Sequence, residues 1–313
     1  MIKQIAILLL CFTTLNACGQ STANNAKAGK QVNIPGTRLF INPPEGFKVA
    51  SNFAGLQKDN YTGLQVYDLV GGNYYTNAAT FSREAFEQKG VTVFDYKETT
   101  INGYPAKYIY MQADATAKTY ALVFGDTTFS ATIMAFCPAA DEEVSRRIRK
   151  AILSVTYNKK LKVDPFATAV FKLDDSKSKF KFAKASANVF IYSVNGVNKE
   201  TYGDDEPMLM VNTLPADNTT TPSSIGGMLI GSLEKYGFTD KKLSYELTDK
   251  VNGYNAYEAV VYGNLKGQKT AIYQLVLLNK DKLVAIQGTA KNNYDSTIQD
   301  FKHLARTVTF KTQ

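Results

Sequence analysis

The chain has no tryptophan and only one histidine, His303, in 313 residues. A lone imidazole without paired cysteines leaves no zinc, copper or haem site built from the usual nitrogen and sulfur ligands. It also confines any Ser-His or Cys-His chemistry to the neighbourhood of His303, and no Gly-x-Ser-x-Gly elbow is present. A P-loop and a Gly-x-Gly-x-x-Gly fingerprint are both missing. His303 lies between Phe301 and Leu304 in a helical pattern and reads as a helix surface or edge residue.

Cysteine is scarce too. There are three, Cys11, Cys18 and Cys137, and the first two fall in the N-terminal segment discussed next. Cys137 is then alone, so no intrachain disulfide can form and the core must supply the stability. It closes the apolar run Thr132–Phe136 and reads as a small buried residue, with a reactive thiol as the alternative. Beyond the N-terminal segment no apolar run reaches transmembrane length. Apolar residues make up 44% of the chain, which suits a packed core. The formal charge of +8 comes from scattered lysines, densest from Lys172 to Lys184. Without interleaved aromatics or a known motif this is no nucleic-acid footprint, and it reads as solvated surface.

What is present begins at the N-terminus. Lys3 gives a one-charge leader, Ile5 to Phe12 is an uncharged apolar run, and Leu15-Asn16-Ala17-Cys18 follows. The run has the length of a signal core and is too short to span a bilayer. The tetrad resembles a bacterial lipobox, and that resemblance implies cleavage after Ala17 and a diacylglyceryl group on Cys18. An ordinary secretory signal prefers small residues at both −3 and −1, which Leu15 does not supply. Residues 18–30 are small and polar and read as a flexible tether. The tether holds no acid, which by resemblance favours an outer membrane facing the periplasm. The expected address is the cell envelope, reached through acyl chains on Cys18.

The body repeats itself. Ile101-Asn102-Gly103-Tyr104-Pro105-Ala106 returns as Val251-Asn252-Gly253-Tyr254-Asn255-Ala256, and Ser154-Val155-Thr156-Tyr157 returns as Thr307-Val308-Thr309-Phe310. A period near 150 residues is domain-sized. The expected layout is a signal at 1–17, a tether at 18–30, one copy at 31–160, a linker at 161–177 and a second copy at 178–313. Copy one should hold a strand at Thr37–Ile41, a turn at Pro43–Phe47, a strand at Gly63–Leu69 and a helix at Phe81–Lys89 closed by Gly90. A hairpin about Asn102-Gly103, a second across Gly125-Asp126 and a helix at Asp141–Leu153 follow. Copy two should place Ile225, Met228, Leu229 and Leu233 on one helix face before Gly237. Hairpins about Asn252-Gly253 and Asn279–Lys282 and a helix at Asp295–Ala305 complete it. Strands joined by hairpins outnumber helices, so the fold class is α+β, two antiparallel sheets with helices packed on their faces.

Ile41-Asn42-Pro43-Pro44-Glu45-Gly46-Phe47, the Asn-Gly hairpin and a final helix ending in Ser154-Val155 resemble the PsbP-like fold, a group that includes bacterial envelope lipoproteins. Copy two lacks the Pro-Pro-x-Gly-Phe segment, having Phe180-Lys181-Phe182 near its start. The resemblance implies tandem PsbP-like domains acting in binding or assembly, and carries over no catalytic residue.

Tyrosine occurs 19 times. Tyr61, Tyr67, Tyr74 and Tyr75 flank the segment Asp68–Asn73 and are the candidate partner-binding residues, the alternative being tyrosines packed on a sheet. Asp204-Asp205-Glu206 lacks an EF-hand pattern and reads as a solvated loop. The expected function is a non-catalytic binding or assembly factor, without cofactor or metal, meeting an envelope protein or glycan. The alternative is an envelope hydrolase on glycan or peptidoglycan, whose carboxylate pair would come from acids distant in sequence. One acyl chain anchors a protein only marginally, whereas two or more hold it. Cys18→Ser should therefore release the protein from the membrane fraction or leave it unprocessed, as fractionation and a mobility shift on gels will show.

Overall fold

A computed structural model describes residues 30–311 except Asn52, Ala113, Ala187, Glu200, Thr201, Gly203, Asp204 and Asp205. Cys18 and the tether through Gly29 lie outside the described residues, as do Asp204 and Asp205. The chain divides into two compact units between Thr168 and Ala169.

The first unit opens with β1 (Val32–Asn33), β2 (Leu39–Ile41), β3 (Lys48–Val49), β4 (Gly55–Asp59) and β5 (Thr62–Val70). Two short helices follow, α1 (Tyr74–Asn77) and α2 (Arg83–Glu87). A meander then runs through β6 (Thr92–Ile101), β7 (Tyr104–Gln112), β8 (Ala117–Gly125) and β9 (Phe129–Pro138). Helix α3 (Glu142–Leu153) and β10 (Thr156–Tyr157) close the unit. Among the described residues β3 to β9 form a seven-stranded antiparallel sheet in the order β3-β4-β5-β9-β8-β7-β6. Strands β1, β2 and β10 pair separately with β2 in the middle, Thr156 lying opposite Phe40 and Tyr157 opposite Leu39.

The second unit repeats this plan. It holds β11 (Phe171–Lys172), β12 (Phe180–Ser186), β13 (Val189–Val194), β14 (Met208–Pro215) and α4 (Pro222–Ser232). Then come β15 (Phe238–Val251), β16 (Tyr254–Leu265), β17 (Gln268–Asn279), β18 (Lys282–Ala290), α5 (Tyr294–Ala305) and β19 (Thr309–Phe310). Its sheet order, β12-β13-β14-β18-β17-β16-β15, is that of the first unit, and β11 pairs with β19 as β2 pairs with β10. The fold is therefore α+β, made twice. Strand β11 falls inside the stretch 161–177 expected to be linker. It is too short to carry a pattern, and only its pairing with the far end of the chain makes it a strand.

Local chemistry explains the shared elements. Asn102 and Gly103 sit at φ 50° and 79°, and Asn252 and Gly253 at 53° and 82°, the left-handed pair that a tight hairpin demands. Each asparagine also reaches the end of its own unit. Asn102 Oδ1 accepts from the Tyr157 amide at 2.8 Å, and Asn252 Nδ2 donates to the Val308 carbonyl at 2.8 Å. Helix α3 starts at Asp141, whose carboxylate accepts from the Val144 amide, with Glu142 and Glu143 in its first turn. Its Val144, Ile148, Ala151 and Ile152 bury against Leu64, Val66, Leu122 and Ile133 of the sheet. Each fully buried isoleucine contributes roughly 1.5–3 kcal/mol. On the opposite face Phe81 and Phe86 pack on Val93, Ile109, Met111 and Ala121.

The α4 segment follows its sequence reading at Ile225, Leu229 and Leu233 and departs from it at Met228. The apolar pattern puts Met228 on the buried face, yet Met228 is 41% exposed, and the helix buries Pro222, Ile225 and Gly226. The cause is Gly226. A Cβ there would lie 2.2 Å from the Tyr257 ring, so the missing side chain lets the helix backbone settle on that ring. After Ser232 the last turn tightens to a 3-10 helix, Leu233–Tyr236, and Gly237 ends it at φ 82°.

Two substitutions one residue apart should then act in opposite directions. Gly226→Ala should destabilise by about 1–3 kcal/mol through overpacking. Gly227→Ala, which has open space, should stabilise by up to about 1 kcal/mol through helix propensity. Urea unfolding of both variants measures the difference.

Candidate functional site

The four candidate tyrosines do not form one cluster. Strand β5 runs to Val70, so Asp68, Leu69 and Val70 are strand rather than loop, paired with Ala131, Ser130 and Phe129. Tyr61 precedes β5, while Tyr74 and Tyr75 follow it. Nine strand residues, about 30 Å at the usual rise, separate the two ends. The strand expected at Gly63–Leu69 already implies this separation, since it lies between Tyr61 and the Tyr74–Tyr75 pair.

At the entry end, Tyr61 is 54% exposed and its backbone amide donates to Asp59 Oδ1 at 2.8 Å. Tyr67 is half-buried on the strand, and burial pushes its phenol up to about 12. It packs as a sheet tyrosine. At the exit end, the Gly71 amide donates to the Thr128 carbonyl and the Tyr74 amide to the Asp126 carbonyl, both at 2.9 Å. Asn73 caps α1 by accepting from the Tyr75 amide. Tyr74 is buried against Val123 and Ala78. Tyr75 stands edge-on to it at 5.3 Å and is 59% exposed, with Val70 60% exposed at the end of the strand. Asp68, nearly buried, accepts from the Arg38 amide at 2.8 Å and from the Tyr157 hydroxyl at 3.0 Å. Lys159 Nζ lies 3.0 Å from Asp126 Oδ2. The Val70–Tyr75 tip is thus a fixed surface, tied to the β8–β9 turn and the end of the unit.

The densest polar chemistry lies in the second unit and no sequence motif signals it. Glu258 on β16 is fully buried. Arg306, just past α5, grips it with two hydrogen bonds, Nε to Oε1 at 3.1 Å and Nη2 to Oε2 at 2.6 Å. The Tyr273 hydroxyl donates to Oε1 at 2.8 Å and the Tyr245 hydroxyl to Oε2 at 3.1 Å. Lys302 Nζ is 3.7 Å from Oε2 and 4.2 Å from the centre of the Tyr245 ring. Burial alone would raise the carboxyl pKa, but the hydrogen bonds from Arg306 and Tyr273 and the nearby cations outweigh it, and the group is held below its usual value. Burial, with the negative carboxylate beside it, pushes the Tyr273 phenol well above 10.

The first unit carries the same cluster with acid and phenol exchanged. At the shared 150-residue spacing Asp95 takes the place of Tyr245, and Tyr108 that of Glu258. Arg149 of α3 stands where Lys302 stands in α5. Arg149 Nη2 lies 3.0 Å from Asp95 Oδ2, and its guanidinium is 5.7 Å from the Tyr108 ring centre. The cation still meets one acid and one ring face. Tyr108 is buried without a hydrogen-bond partner for its hydroxyl. Tyr120, the counterpart of Tyr273, bonds Ser145 Oγ at 2.6 Å instead. Leu153 stands where Arg306 stands and is 45% exposed.

Gln299, Lys302, His303, Arg306 and Thr307 line a shallow depression of about 440 Å³ outside the Glu258 cluster. His303 is exposed there on α5. Cys137 is fully buried, and burial raises its thiol pKa, which disfavours the reactive thiolate. Among the described residues no three His, Cys, Asp or Glu side chains gather to hold a metal ion, and no helix is long and apolar enough to cross a membrane.

No protein-family model matches the chain. No curated protein matches it. Solved structures similar to it include LpqN of Mycobacterium tuberculosis, described as involved in cell envelope biogenesis, at 12% identity and a TM-score of 0.36, covering 45% of this chain and 83% of that one. The cyanobacterial PsbP (CyanoP) of Synechocystis sp. PCC 6803 is similar at 14% identity and a TM-score of 0.30, covering 49% and 100%. The T6SS immunity protein TplEi of Pseudomonas aeruginosa, complexed with "L" peptide, is similar at 8% identity and 0.31, covering 91% and 100%.

The Glu258 cluster makes a stability prediction. Glu258 is fully buried while Arg306 keeps contact with solvent, so Glu258→Gln should cost about 1–3 kcal/mol, through weakened hydrogen bonds from Arg306 and Tyr273. Glu258→Tyr should also destabilise, and adding Tyr245→Asp, the arrangement of the first unit, should recover part of the loss. The folded-state pKa of Glu258 is depressed, so its contribution is complete above the ordinary carboxyl value of 4.5 and fades as pH falls below it toward the folded-state value. Urea midpoints against pH for the wild type and Glu258→Gln should converge on the acid side.

Proposed function

We propose that the protein is a lipid-anchored, non-catalytic binding or assembly factor of a bacterial cell envelope. The observation that supports this reading is the pair of exposed ends on one rigid strand, Tyr61 before β5 and Val70 with Tyr75 after it. Tyrosine offers a large amphipathic contact with few rotatable bonds, and a pre-bonded turn lowers the entropy lost on docking. The Tyr61 turn is held by Asp59, and the far tip by Thr128, Asp126 and Asn73. The chemistry of Glu258 supports the same reading. Its oxygens accept from Arg306, Tyr245 and Tyr273 in a buried site, which suits holding α5 on the sheet.

The address follows the lipobox resemblance at Cys18, with the tether leading into Lys30. In this reading the Tyr61 end meets an envelope protein, and the anchor keeps the unit at its membrane. A photo-crosslinking residue replacing Tyr61, in cells, should capture one dominant envelope protein from the Cys18 form and less of it from Cys18→Ser. Labelled glycan without protein, or no adduct from either form, would overturn the protein-partner reading.

A further inference from the structure

The exit end of β5 differs from the entry end in its surroundings. Val70 and Tyr75 project from one turn, with Lys159 beside it through Asp126, whose carbonyl accepts from the Tyr74 amide. Arg38 and Lys159 are paired with Asp68 and Asp126, whereas the following segment adds exposed Lys160 and Lys162 against one acid, Asp164. The Asn158 amide donates to the Arg38 carbonyl at 2.9 Å and Lys159 pairs with Asp126, so the lysine segment starts at the tip. A small aromatic and apolar tip rimmed by lysines has the chemistry of the interface of an anionic bilayer. Tyrosine favours the headgroup level and lysine the lipid charge.

Two exposed side chains make only a small contact by themselves. Such a contact becomes effective when a second attachment raises its local concentration. The N-terminal tether supplies one. Gln31 is fixed at the start of β1, its amide donating to the Ser154 carbonyl at 2.7 Å. From there the β1–β2 hairpin leads to Arg38, Arg38 bonds Asp68, and Asp68 is two residues from Val70. That path is about 30 Å at strand dimensions, and the twelve residues back from Lys30 to Cys18 reach about 40 Å when extended.

We infer that the Val70–Tyr75 tip docks on the surface of the lipid bilayer that holds the Cys18 acyl chains, standing the first unit on the membrane with its Tyr61 end turned to the aqueous side. This rests on the anchored reading given above. Because the chain has no tryptophan, a single introduced indole reports its own position. Tyr75→Trp and Tyr61→Trp each replace a side chain that is more than half exposed, so the core is untouched.

The full acylated chain is mixed with phosphatidylethanolamine–phosphatidylglycerol vesicles, with and without brominated acyl chains. Emission from Tyr75→Trp should be lost in the brominated vesicles, and emission from Tyr61→Trp retained. Sedimentation with the vesicles, compared with Cys18→Ser, reads the anchor separately. Sedimentation without quenching of Tyr75→Trp overturns the docked tip and leaves the anchor standing. Quenching of both indoles overturns the upright orientation. A Cys18 form that stays in the supernatant overturns the anchor, and the inference with it.

Discussion

Each sheet depends on one long-range strand pair. In the first unit β5 runs antiparallel to β9 over eight residue pairs, from Gly63 opposite Phe136 to Val70 opposite Phe129. In the second, β14 and β18 pair over eight, from Met208 opposite Thr289 to Pro215 opposite Lys282. Every other neighbouring strand pair in either sheet joins strands consecutive in the chain. These two pairs bring the opening strands against the closing meander, across a crossover that carries α1 and α2 in one unit and α4 in the other. Loop closure of that length costs entropy before any contact rewards it. The reward is a sheet covered on both faces.

The exposed tip and the buried cluster both follow from that pairing. Because β5 lies beside β9, its exit turn meets the β8–β9 turn, and Thr128 and Asp126 can bond Gly71 and Tyr74. Because β18 lies inside the sheet, α5 returns over β18 and β17, and Lys302 and Arg306 reach from it to Glu258 on β16. The second unit thereby tolerates a charge in its core, since four hydrogen bonds and a lysine surround one carboxylate. The first unit solves the same packing problem with Asp95 at the edge and a phenol inside. Exchanging acid and phenol between neighbouring strands keeps the cation from the last helix in place. It also moves the buried charge to a half-exposed position, which leaves Tyr108 with an unpartnered hydroxyl.

Much of the fold was legible because its signals are local. Asn-Gly flanked by alternating residues dictates a hairpin through its two left-handed backbone positions, and both copies show it. Asp141 with an apolar stripe dictates a capped helix, and α3 begins and ends within a residue of its expected span. The repeat was legible because these signals recur in order. Elements without a local signal were not. Strands β1, β3 and β11 are two residues long and exist only through their partners, whereas the closing strands β10 and β19 were legible from the repeat of Val155–Tyr157 as Val308–Phe310. The exposure of Met228 escaped as well, since hydropathy ranks Met228 above Gly226 and cannot register that a missing Cβ buries better against Tyr257.

By itself the sequence determined the duplication, the antiparallel α+β class, the scarcity of ligands for soft metals and the resemblance of Leu15–Cys18 to an acylation signal. Those properties reside in residue type and short spacing. Tertiary structure alone decided what each tyrosine packs against and which carboxylate is buried. Tyr61 and Tyr75 are 14 positions apart, yet an extended strand sets them at opposite ends of a sheet. Glu258 and Arg306 are 48 positions apart and share two hydrogen bonds. Sequence separation measures contour length, whereas recognition and charge burial depend on distance through space, which the long-range strand pair sets.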